Sequence, residues 1–182
     1  MRVLIACGGT GGHINPGLAI ADIIKSKYPD TEFLFAGTPK GMEAKLVPAA
    51  GYRFETIKVA GFQRRISLEN IGRNAKAVAY LITSGRRAKQ IIEGFKPDIA
   101  IGTGGYASGP VIRKAARMGI PTAIHEQNAY PGVTNKLLSK EVDHVMLTVK
   151  EALNFMDGSK FEHTVTGLPV RSNIKNSISR AE

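Results

Sequence analysis

The sequence holds a single cysteine, Cys7, in 182 residues. That excludes an intrachain disulfide framework and any cluster of thiolate metal ligands. Cys7 falls in the first apolar run, where a thiol reads as a small buried hydrophobe rather than a nucleophile. No stretch approaches the roughly 20 apolar residues of a membrane span. The amino terminus, Met1-Arg2-Val3-Leu4-Ile5-Ala6, enters a strand-like run and then glycines, with neither the apolar length nor the cleavage pattern of a signal peptide. A cytoplasmic protein, soluble or peripheral, is therefore expected. The four histidines, His13, His125, His144 and His163, show no recognised ligand spacing, so no metal is expected; no cofactor is expected either. Acids are also few, 15 against 25 Lys and Arg, giving a formal charge of +10. Between Arg64 and Lys89 the only acid is Glu69, against Arg64, Arg65, Arg73, Lys76, Arg86, Arg87 and Lys89. Such a segment calls for an anionic partner.

What is present alternates strand and helix. Short apolar runs at residues 3–7, 32–36, 54–59, 98–102, 122–125, 145–149 and 164–166 read as parallel strands covered on both faces. The first helix is predicted from Asn15 as N-cap and Pro16 to about Tyr28. Others are predicted over 42–47, limited by Pro48, over 68–93, from near Pro110, and over 133–138. The fold class is α/β: a Rossmann-like, doubly wound parallel sheet with helices on both faces and a crevice at the carboxyl ends of its strands. Residues 1–166 read as one domain. The pattern breaks at Gly167-Leu168-Pro169-Val170-Arg171, and residues 167–182 read as the start of a linker toward a second domain.

Two glycine loops stand between strand and helix: Gly8-Gly9-Thr10-Gly11-Gly12-His13 and Gly102-Thr103-Gly104-Gly105-Tyr106. Consecutive glycines let backbone approach a ligand, and the following helix start suits phosphate. The alternative is that they only make tight turns. Neither loop has the Lys-Ser/Thr of a P-loop, and Ile14 stands where a dinucleotide fingerprint needs its third glycine. His13, at the junction of loop and helix, is a candidate general base, with a ligand contact as the competing role. His125-Glu126-Gln127-Asn128 closes an apolar strand with four polar side chains, costly to bury unless they bind something. Glu126 and Asn128 suit sugar hydroxyls, and Asn135 is placed to brace the loop. From Phe62 to Lys89 apolar residues are framed by Arg and Lys, as in an interfacial membrane segment; a core helix with basic edges is the plainer reading. Few aromatics interleave the charge, against nucleic acid.

These loops, the His125-Glu126-Gln127-Asn128 segment with Gly132 and Asn135, and Gly167-x-Pro169-Val170-Arg171 together resemble the MurG glycosyltransferases of peptidoglycan synthesis. The resemblance runs from residue 1 to about 171. It implies the N-terminal half of a GT-B enzyme, an inverting hexosyltransferase that moves GlcNAc from UDP-GlcNAc to the 4-hydroxyl of undecaprenyl-diphospho-MurNAc-pentapeptide (lipid I) without a metal. It places the protein peripherally on the cytoplasmic face of the bacterial membrane. Carried onto this chain, His13 is the catalytic base, and Thr10, Gly11, Gly12, Gly104, Gly105, Tyr106, Glu126 and Asn135 meet the acceptor. Thr10, Gly11, Gly12, Asn128 and Arg171 meet the donor, most of whose contacts belong to the second domain. The segment from Phe62 to Lys89 is the membrane contact. Leu168 departs from the family's usual Asn. A standalone acceptor-binding or membrane-recruiting subunit is the alternative, and the half alone is expected to be nearly inactive.

Overall fold

The computed structural model describes residues 1–59, 83–156 and 161–171. The helix predicted over 68–93 therefore lies partly, and the linker after Arg171 wholly, outside the described residues.

Seven strands form one sheet: β1 (Arg2–Cys7), β2 (Glu32–Gly37), β3 (Arg53–Thr56), β4 (Ile99–Gly104), β5 (Thr122–Glu126), β6 (His144–Leu147) and β7 (Glu162–Val165). Their order is β3-β2-β1-β4-β5-β6-β7, with every pairing parallel. Around them lie α1 (Gly11–Lys27), α2 (Glu43–Ala49), α3 (83–95), α4 (Ser108–Arg117), α5 (Val133–Leu138) and a 3-10 turn, Lys150–Phe155.

Strand side chains alternate between faces, so a strand apolar throughout must be covered twice. In β1, Val3, Ile5 and Cys7 pack with Ile14 and Leu18 of α1 and Val47 of α2. Leu4 and Ala6 belong to the opposite cluster, with Ile91 and Ile92 of α3 and Val111 and Ile112 of α4. The chain winds from β1 to β3 in one direction, then returns and winds from β4 to β7 in the other. Right-handed crossovers consequently put α1 and α2 on one face and α3 and α4 on the other. Between β1 and β4, where the order reverses, the connections diverge and open a crevice at the carboxyl ends.

The predicted boundaries need two corrections. Helix α1 begins at Gly11, not at Asn15-Pro16. Thr10, extended at φ −135°, is its N-cap, and the Thr10 carbonyl receives the His13 and Ile14 amides at 3.0 and 3.2 Å. Pro16 lies inside the helix, where its ring removes only the bond to the Gly12 carbonyl. Pro48 similarly sits within α2 rather than limiting it. At the far edge, all four residues of β7 are exposed.

Candidate functional site

Adjacency of β1 and β4 brings the two glycine loops together, backbone on backbone. Gly105 has φ +82°, and a Cβ there would overlap the Gly8 carbonyl, so only glycine lets the loops close. The β1–β4 register shifts after Ala6: Ala6 pairs with Gly102 and Cys7 with Gly104, leaving Thr103 as a bulge. A bulge re-aims its side chain. Here the Thr103 hydroxyl donates to the His13 carbonyl at 2.7 Å, pinning the start of α1 to β4. A Cβ on Gly104 would lie 2.7 Å from His13 Nδ1, so the imidazole rests against bare backbone of the second loop.

Glu43 of α2 is fully buried beneath the first loop. Its Oε2 accepts the Gly9 amide at 3.2 Å, and Oε1 accepts the Thr38 amide at 2.9 Å and the Thr38 hydroxyl at 2.7 Å. Burial opposes its ionisation. The hydrogen bonds from the Thr38 hydroxyl and from the amides of Glu43, Thr38 and Gly9 outweigh that and hold the carboxyl below its ordinary range. The Gly9 amide is thus committed inward. The amides of Gly11 and Gly12, in the first turn of α1, are of the kind a helix leaves without an internal acceptor. Cys7, buried beside this carboxylate, has its thiol pushed up to about 12 by burial and by the Glu43 charge.

At the end of β5, Glu126 is also buried and saturated. Its Oε1 accepts the Asn128 amide and side chain at 2.9 and 3.0 Å, while Oε2 accepts the Gly132 amide at 3.0 Å and Asn135 Nδ2 at 2.9 Å. Asn135 Nδ2 also reaches the His125 carbonyl at 3.2 Å. A carboxylate at a buried strand end requires such donors. Glu126 and Asn135 therefore lie under the loop they shape, not on its surface. Asn128 is exposed above them, and Tyr106 stands 64% exposed beside the second glycine loop.

Gln127 joins all three segments. Its Oε1 lies 3.0 Å from His13 Nδ1; its Nε2 lies 3.0 Å from the Thr103 carbonyl, 2.8 Å from the His125 carbonyl and 3.1 Å from His125 Nδ1. Behind it, His125 Nε2 lies 3.1 Å from the Gly167 carbonyl. Burial pushes the His125 imidazole below its ordinary value, against the Gly167 carbonyl and the Glu126 charge, so it stays neutral.

The structure thus gathers His13, Gly104, Gly105, Glu126 and Asn135 around one crevice. It places Arg171 elsewhere: its Nε bonds Asp22 Oδ2 at 3.0 Å, and Tyr52 donates to Asp22 Oδ1 at 2.7 Å. Asp22 is nine residues beyond His13 in α1, about 13 Å along the axis at a 1.5 Å rise per residue. His144 pairs with the Thr164 hydroxyl at 3.0 Å, and His163 packs against Phe161. Of the basic segment, Arg87 binds Glu55, and Lys89 lies 3.4 Å from Glu93. Its membrane reading from residues 62 to 82 falls outside the described residues. Sequence reasoning passes over Thr103, Gln127 and Glu43 as functional groups. Each has a distant partner, Gly9 at 34 positions from Glu43 and His13 at 90 from Thr103 and 114 from Gln127, and the one local signal is Gln127's place in the polar strand end.

A half-buried imidazole between two glycine loops, beside a helix start, suits proton transfer next to an anionic group. The chain matches the glycosyltransferase family 28 N-terminal domain over residues 3–147. It is similar to the UDP-N-acetylglucosamine–N-acetylmuramyl-(pentapeptide) pyrophosphoryl-undecaprenol N-acetylglucosamine transferase of Acetivibrio thermocellus, 53% identical over 94% of this chain and 45% of that protein. A protein of the same name from Clostridioides difficile is 45% identical over 96% and 42%. The chain spans about half the length of the curated relatives it matches. Among solved structures, Acinetobacter baumannii MurG matches with a TM-score of 0.72 and 28% identity, over 88% of this chain and 44% of that one. The UDP-GlcNAc 2-epimerase of Neisseria meningitidis shares the fold at a TM-score of 0.64 and 16% identity, over 98% and 51%. With its glycine loops and the β5 end inside the matched span, the chain belongs to glycosyltransferase family 28, as the N-terminal domain.

Proposed function

We propose that residues 1–166 are the acceptor-binding domain of an inverting transferase that moves N-acetylglucosamine from its UDP donor to the 4-hydroxyl of lipid I. Residues from Gly167 onward lead toward a donor-binding domain. The observation that carries this reading is the convergence of His13, the two abutting glycine loops and the β5 end at one switch point. The names of the similar transferases supply donor and acceptor.

In this reading the start of α1 at Gly11 and Gly12 faces the acceptor diphosphate. Gly104, Gly105 and Tyr106 line the acceptor, while Thr10 and Asn128 face the transferred sugar. Glu126 and Asn135 hold that surface from below, and Arg171 fastens the exit segment to α1. The acceptor oxygen attacks C1 of the donor sugar opposite the UDP group. As the new C–O bond forms, the old one breaks, its electron pair leaves on UDP, and the hydroxyl proton passes to His13. One displacement inverts C1. The apolar, basic segment from Phe62 to Lys89 holds the domain on the anionic cytoplasmic face of the membrane, beside the lipid-linked acceptor.

The test is transfer of radiolabelled GlcNAc to lipid I by the chain alone, and with a relative's second half supplied in trans or fused. Label should move only when both halves are present, since donor and acceptor must be held together. Transfer by the chain alone would overturn the division of labour. In the active combination, His13→Ala should lower turnover by about 10²–10⁴-fold, with a much smaller loss of acceptor affinity. Equal losses would reduce His13 to a ligand contact.

A further inference from the structure

We infer that Gln127 is a positioning residue that fixes His13 as the Nδ1–H tautomer, leaving Nε2 as the ring nitrogen able to accept a proton. The inference rests on the reading of His13 as the base, and it begins from the orientation of one amide. Gln127 has one end against two carbonyl oxygens, those of Thr103 and His125, at 3.0 and 2.8 Å. Carbonyl oxygens only accept, so that end must be the NH₂ group. The opposite assignment would press three oxygens together in a half-buried site. The end facing His13 Nδ1 at 3.0 Å is therefore the amide oxygen. An amide oxygen cannot donate, so Nδ1 carries the hydrogen and donates it.

The same amide sets the second histidine the other way. Gln127 Nε2 stands 3.1 Å from His125 Nδ1, and an NH₂ group has no lone pair to offer. His125 Nδ1 is accordingly bare, and its Nε2 donates to the Gly167 carbonyl. One glutamine thus holds two histidines in opposite tautomers. Free histidine favours the Nε2–H form, so His13 is held away from its resting preference. When Nε2 takes a proton, the imidazolium keeps its Nδ1–H on the Gln127 oxygen, whose dipole already points the right way. The Thr103 hydroxyl on the His13 carbonyl and the bare backbone at Gly104 fix the ring's place while Gln127 fixes its chemistry.

The tautomer is read directly from long-range ¹H–¹⁵N spectra of the ¹⁵N-histidine-labelled chain, at a pH above the imidazole range, with His13→Asn assigning the signal. His13 should show a protonated, pyrrole-like Nδ1 and a pyridine-like Nε2, and His125 the reverse. In Gln127→Leu, His13 should revert toward Nε2–H, and turnover in the active combination should fall on the order of 10²-fold with acceptor KM little changed. A wild-type His13 protonated at Nε2, or one unaltered in a folded Gln127→Leu, would overturn the inference. Should the leucine variant fail to fold, the wild-type spectrum still decides. The spectrum needs no turnover. Normal activity in His13→Ala would remove the base but leave the tautomer assigned, whereas the wrong tautomer would leave the transfer reading intact.

Discussion

Two buried carboxylates shape the crevice, and each does so by collecting N–H and O–H donors rather than cations. Glu126 organises the β5 end through four bonds, and Glu43 holds the first glycine loop through Gly9 and Thr38. Glu43→Gln keeps the shape but sets an NH₂ group against donors, which costs about 1–3 kcal/mol. The pH dependence follows from the lowered folded pKa. Below the unfolded value of about 4.3 the unfolded chain protonates first, so the Glu43 contribution is complete at higher pH and is lost as pH falls through the folded value. The difference in Tm between wild type and Glu43→Gln should be largest near neutrality and shrink in acid. A difference that persists unchanged into acid would show that shape, not charge, holds the loop.

At the scale of elements, the closure of the two loops depends on Gly105 lacking a side chain. Gly105→Ala combines a positive φ with overlap on the Gly8 carbonyl and should destabilise the fold by about 1–3 kcal/mol. Gly94 in α3 has open space where a Cβ would stand, and Gly94→Ala should stabilise by about 0.4–1 kcal/mol. Denaturant melts that rank these two variants in the opposite order would contradict the loop packing. The same contrast explains what was legible in the sequence. Apolar runs such as Val3 to Cys7 announced buried parallel strands, and glycines between strand and helix announced the two loops. Asn15-Pro16 satisfied the local rules for a helix start. Yet α1 begins five residues earlier, where Thr103, reaching from 90 positions away, holds the His13 carbonyl. The β4 bulge and the inward turn of Glu126 left no local signature either. Both depend on which strand lies beside which, and the alternation of strands and helices does not encode that order.

For the whole molecule, 25 Lys and Arg against 15 Asp and Glu leave more cations than the acids can pair one to one. Of the basic residues from Arg64 to Lys89, the described Arg87 and Lys89 already have carboxylate partners in Glu55 and Glu93. In the membrane reading proposed above, attraction to an anionic surface falls to Arg64, Arg65, Arg73, Lys76 and Arg86. No helix among the described residues is long and apolar enough to cross a membrane. Basic residues near an anionic bilayer contribute about 1 kcal/mol each. Replacing Arg64, Arg65 and Arg73 together by Gln should therefore weaken partitioning onto phosphatidylglycerol-containing vesicles on the order of 10²-fold. Neutral phosphatidylcholine vesicles should hardly distinguish the variant, and added salt should erase much of the difference. Cosedimentation at several salt concentrations, with Tm measured in parallel, separates the two readings of this segment. A drop in vesicle binding at constant Tm assigns those arginines to the membrane contact. Unchanged binding with a lowered Tm would return them to the solvated edge of a core helix, leaving the proposed lipid-linked acceptor to bring the chain to the bilayer.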